Sequence, residues 1–214
     1  MRLNYLRVGF LGLVAIANAQ APRTADLQLR GDRFKPLTYA QMTAEQKTLT
    51  DHLLSSERGG MNGPFNVLLR SPEMGDAAQK LGAQVRFHSS LAPRLNEFAI
   101  LITGQYWNAQ YEFYAHHKLA LTAGLNAAVI DALAADKRPT GMQADEEALY
   151  NFCTELLKTH HVSDATFHAA VSKLGERGVV DLMGVVGYYD LVCIILNVDR
   201  YPLPDGAKPE LAGR

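Results

Sequence analysis

The sequence predicts an all-α protein built as one helical domain. Three observations carry that reading. No segment shows the apolar–polar alternation of a half-buried strand. Helix-start signals stand ahead of apolar positions at helical spacing at Thr43, Ser71-Pro72, Asn126, Asp145 and Ser163. Two stretches, residues 95–102 and 179–198, are apolar almost all round, the pattern of buried helices.

Taken in order, residues 1–19 have the layout of a secretory signal peptide. Arg2 and Arg7 precede a short apolar run, and Ala17-Asn18-Ala19 is a small-x-small cleavage site with Gln20 following. The run is well short of the ~20 apolar residues of a spanning helix. The expected location is therefore periplasmic or secreted, with no membrane attachment after cleavage. Residues 20–42 read as an extended arm. Thr43 and Gln46 form a capping box for a helix reaching about Ser56. Glycines and Pro64 make 58–64 a loop. Ser71-Pro72 opens the next helix, with Met74, Ala78, Leu81, Val85 and His88 on one face.

Pro93 opens the central helix, with Gly104 and Asn108 marking its break. A second helix covers about 109–123 and stops at Gly124. Asn126 caps a short helix to about Ala135, Asp145 one to about Lys158, and Ser163 one ending near Gly175. Residues 179–198 could be mistaken for a membrane span; their glycines and tyrosines suit a buried helix or an oligomer interface. The domain runs over 43–200, and 201–214 is a tail.

The 214 residues suit one domain. Lys+Arg number 21 against Asp+Glu 22, so no basic surplus argues for nucleic acid. Cys153 and Cys193 fit no C-x-x-C or zinc spacing. Both lie in apolar helical stretches, and a disulfide between them is left open.

Three residues stand out for chemistry. Glu97 is followed by Phe98, Ile100 and Leu101, so its helical neighbours are apolar. A carboxylate there is costly without a partner and is kept for a structural contact or for acid–base work. The structural alternative is a first-turn Glu paired with Arg94. Glu112 and His116 are four apart and share a helix face, where the carboxylate raises the imidazole pKa. That spacing also suits two ligands of one metal ion, or a plain solvated pair. His117 points elsewhere on the helix, His160 and His161 decorate a helix C-terminus, and His88 is a weaker site candidate.

Arg94-Leu95-Asn96-Glu97, then Tyr111-Glu112-Phe113-Tyr114-Ala115-His116, then Ala120 and Gly124-Leu125, resemble the carboxymuconolactone decarboxylase family. Its pattern is R-x-x-E, Y-E-W-x-x-H and A-x-x-x-G-[LV]; Phe113 stands in the Trp position. The loop Gly63-Pro64-Phe65-Asn66 and Gly187-Tyr188-Tyr189 look like a longer branch, and the likeness runs over about 55–200. The resemblance implies an alkylhydroperoxidase D-like helical bundle with a central helical hairpin, assembled as a homotrimer or homohexamer. It implies cofactor-free, metal-free acid–base chemistry on a small organic acid or lactone, with Glu97, Glu112 and His116 catalytic. Arg94, Tyr111 and His88 would bind substrate, Arg86 being an alternative carboxylate partner to Arg94. The family's peroxidase branch places C-x-x-C between that Glu and His; laid on this chain, the two Cys positions fall on Ala109 and Glu112, so both thiols are missing. Hydroperoxide reduction stands as one alternative, and a non-catalytic or metal-binding oligomer as another.

Overall fold

In the computed structural model the described residues are 27–212. The segment read as a signal peptide, and the first residues of the arm, lie outside them. Every regular element among the described residues is helical. These are α1 (Ala44–Ser55), α2 (Phe65–Leu68), α3 (Pro72–Phe87), α4 (Pro93–Tyr106), α5 (Gln110–Thr122), α6 (Ala127–Ala134), α7 (Ala144–Thr159) and α8 (Asp164–Asp199). A single 3-10 turn, Tyr39–Gln41, precedes α1.

The expected caps form at α1, α6 and α8. Thr43 accepts from Gln46 N, Asn126 from Ala128 N, and Ser163 from Thr166 N. Gly124 ends the α5 segment at φ 94°. The start of α7 differs from expectation. Gln143, not Asp145, is the N-cap, and Glu146 reaches back to accept from Gln143 N at 2.7 Å. Asp145 is drawn instead to Arg94, which frees the earlier position.

The centre of the molecule is α4. It packs on α5, α6, α7 and α8, and residues 98–102 are buried without a gap. Its break lies at 107–109, with Asn108 at φ 49°, while Gly104 stays helical where the first turn of α5 comes close. The α4–α5 turn is pinned to α8: Trp107 Nε1 donates to Asp190 Oδ1 at 2.6 Å, and Asn197 Nδ2 donates to Trp107 O at 2.8 Å.

On α3 the inward face is not the one the large residues suggest. Gly75, Ala78, Gln79, Gly82 and Val85 are buried, while Met74 and Leu81 are each 49% exposed and His88 is exposed at the helix end. Close approach explains it: a Cβ on Gly82 would stand 2.3 Å from Tyr188 Oη on α8. The long α8 is two helical segments meeting at Gly175, whose φ of 72° and ψ of 166° suit glycine. Its apolar run is long enough to cross a membrane, yet one side packs on α3, α4, α5 and α7. Val180, Met183, Ile194 and Val198 face outward.

Arm and tail both belong to the packed body. Phe34 N donates to Asp199 Oδ1 at 2.7 Å, and Arg33 Nη1 to Val198 O at 2.9 Å. In the tail, Leu211 is buried, Gln110 Oε1 accepts from Glu210 N and Leu211 N, and Glu210 pairs with His117. Cys153 and Cys193 are free thiols, both buried, so no disulfide links them.

Candidate active site

The α4–α5 hairpin brings three of the expected residues into contact. Glu112 and His116 lie on successive turns of α5, and Glu97 faces them from the second turn of α4. His116 Nδ1 stands 2.6 Å from Glu97 Oε2, and Nε2 stands 3.1 Å from Glu112 Oε1. The first is an aligned hydrogen bond. The second is an ionic contact without alignment, which leaves Glu112 Oε1 buried and lacking a hydrogen-bond donor. The edge of the Tyr189 ring closes the third side, centroids 5.3 Å apart.

Burial by itself would lower the imidazole pKa, because it penalises the charged form. The two carboxylates outweigh it, Glu112 first and Glu97 second, and lift His116 to about 9. At neutral pH the ring is therefore an imidazolium, donating through Nδ1 to Glu97 and presenting Nε2–H to Glu112 and the adjoining space. Among the described residues no group of three or more His, Cys, Asp or Glu side chains is disposed to hold an ion.

A cavity of about 260 Å³ adjoins this cluster, walled by Arg58, Arg86, Tyr111, Glu112, His116 and Tyr189 among others. Glu97 does not line it; it stands behind His116, on the Nδ1 side of the ring. Tyr111 does line it, its ring 4.4 Å from that of Tyr201. Burial, and then Tyr201, push the Tyr111 phenol upward in pKa. Tyr201 Oη accepts from Gly63 N at 3.2 Å, tying the 58–64 loop to the wall.

Two expected binding residues lie elsewhere. Arg94 is not on the cavity and does not pair with Glu97. Its guanidinium donates to Asp145 at 2.6 Å and to Glu146 at 2.8 Å, locking α4 to α7. His88 is exposed and faces Glu57 at 2.8 Å, outside the cavity lining. Arg58 was not expected: it is a lone cation in a glycine-rich loop, and no helical spacing marks it. Neither cysteine lines the cavity, and burial raises both thiol pKa values well above the ordinary range, Cys193 also feeling Glu112.

No family model matches this chain, and no curated protein matches it. Solved structures do. An alkylhydroperoxidase AhpD core, an uncharacterized peroxidase-related protein from Ralstonia eutropha JMP134, superposes with a TM-score of 0.66 at 15% identity, covering 81% of this chain and 92% of its own. A cysteine-to-alanine variant of the debrominase Bmp8, in complex with 2,3,4-tribromopyrrole, gives 0.62 at 11% identity, covering 80% and 91%. A protein of unknown function from Agrobacterium tumefaciens, described as a putative antioxidant defence protein AhpD, gives 0.54 at 17% identity, covering 67% and 100%. These likenesses establish the alkylhydroperoxidase D-like fold.

Proposed function

We propose that this chain of alkylhydroperoxidase D-like fold is a cofactor-free acid–base enzyme of the carboxymuconolactone decarboxylase type, acting on a small organic acid or lactone. The observation that carries the reading is His116, held as an imidazolium between two carboxylates on the wall of a cavity. Decarboxylation breaks the carbon–carbon bond to the carboxylate. Carbon dioxide leaves, the electron pair is delocalised into a neighbouring carbonyl of the substrate, and a proton must then reach the carbon. The imidazolium stabilises the developing negative charge and delivers the Nε2 proton. Glu97 fixes the ring through Nδ1 during the transfer. Glu112, with an oxygen free of any aligned donor, takes a proton from solvent entering the cavity and passes it to Nε2, which restores the imidazolium.

The test is turnover of a panel of lactone acids and keto acids, read as carbon dioxide release. His116→Gln is expected to lower kcat by about 10²–10⁴-fold, while thiol-blocked wild type keeps its activity. Undiminished turnover in His116→Gln would sink the reading. Hydroperoxide reduction is the second reading, favoured by the peroxidase-related description of a protein with this fold. It requires an accessible thiolate, so loss of peroxide consumption on thiol blocking would establish it in place of the first.

A further inference from the structure

The acid–base cluster accounts for one wall of the cavity but leaves two cations on the others. Arg58 and Arg86 both line it, and neither has an ion-pair partner among the described residues. Structural arginines in this fold are treated differently. Arg94 holds two carboxylates, Arg138 holds Glu147 and Asn151, and Arg70 holds Asn66 and the Lys35 carbonyl. Arg58 stacks on the Phe65 ring at 4.8 Å and Arg86 on Phe87 at 5.2 Å. Stacking uses the face of a guanidinium and leaves its N–H edge free to donate. For Arg58 that edge includes Nη2, which is buried and meets no acceptor. Arg58 as a residue is half-buried, but an unmade bond at a buried N–H group is costly unless a ligand completes it.

The charges around the cavity do not balance. His116 and Glu97 cancel, Glu112 offsets one guanidinium, and one positive charge remains. At about 260 Å³ the space lies just below the ~300–1,000 Å³ of drug-sized sites, so it suits a small ligand. Leu119 and Val192 give it an apolar side.

We infer that Arg58 and Arg86 form an anion clamp that takes the carboxylate of a small, singly charged organic acid and turns its apolar body toward His116. The clamp gives the acid–base reading its substrate class and rests on that reading for the chemistry that follows binding. Arg58 is the specificity-determining member, because it rides on the loop that Gly63 and Tyr201 fasten to the cavity wall.

The test is calorimetric titration of the full chain with benzoate, with its neutral isostere benzamide, and with inorganic phosphate. Benzoate is expected to bind at least about tenfold more tightly than benzamide, the size of one charge-assisted hydrogen bond. Arg58→Gln and Arg86→Gln should each weaken benzoate by about tenfold or more and leave benzamide unchanged, with Arg58→Lys recovering part of the loss. Equal binding of benzoate and benzamide, no binding of either, tighter binding of phosphate, or indifference to both substitutions would overturn the clamp. The wild-type comparison needs no variant to fold. If the arginine results hold while His116→Gln still turns over, the clamp stands and the acid–base reading falls. If His116→Gln is dead but the acid and amide bind alike, the clamp falls alone.

Discussion

Glu97 touches no part of the cavity, so in the proposed reaction it acts only through the His116 ring. Replacing it by Gln removes one of the two carboxylates that hold the imidazolium against burial. In Glu97→Gln the His116 pKa should fall from about 9, and the alkaline limb of the activity profile should move to lower pH with it. An NMR titration of the imidazole alongside the pH–rate curve checks both; an unmoved limb would show that Glu97 is a packing residue. The contact itself was only half legible in the sequence. Glu112 and His116 declare themselves by i,i+4 spacing, a local relation that any helix enforces. Glu97 meets His116 only because the turn at 107–109 folds α5 back on α4, and spacing does not encode how two helices face each other. The same holds for Arg94: its partners Asp145 and Glu146 sit about fifty residues away, at the start of α7, where local spacing does not reach.

At the scale of elements, the site's shape depends on how closely α3 approaches α8. Gly82 makes that approach possible, and Tyr188, which it contacts, is on the cavity wall. In Gly82→Ala the new methyl would stand 2.3–2.4 Å from the Tyr188 hydroxyl and ring, so Tyr188 must shift or the helices must part. The gain in helix propensity, up to ~1 kcal/mol, does not offset an overpacking cost of about 1–3 kcal/mol. Urea unfolding should therefore show net destabilisation, and benzoate affinity should change with it; a variant as stable as wild type with unchanged binding would refute this packing argument. Closeness of this kind also sets which face of α3 turns inward. Hydrophobic periodicity ranks Met74 and Leu81 as core, whereas close packing selects Gly82 for its lack of bulk against Tyr188 of α8 and Gly75 against Leu49 of α1 and Leu68 of α2. Caps were more legible than faces, because Thr43, Asn126 and Ser163 bond to amides two or three residues away and need no tertiary partner.

Across the whole molecule, the all-helical class follows from local signals, but the closure of the body does not. The tail reaches back to α5 through Gln110 and His117, and the arm to the end of α8 through Asp199; these contacts span about a hundred residues or more. The core they close over contains the charged cluster, and that couples the site to global stability. His116 has a folded pKa of about 9 against an ordinary value of 6.5. Its folded state thus binds a proton more tightly than its unfolded state does, and the protonated ring stabilises the fold. That contribution is fully present below pH 6.5 and is lost progressively as pH rises through about 9. Other side chains of the unfolded chain ionise toward the upper end of the same range, so the informative quantity is the difference between wild type and His116→Gln. Across pH 6.5 to 9.5, the wild-type Tm should fall more steeply than that of the variant, whose neutral amide has no proton to lose. Parallel curves would mean that Glu97 and Glu112 do not hold the His116 proton in the folded state, and the imidazolium on which the proposed proton transfer depends would go with them.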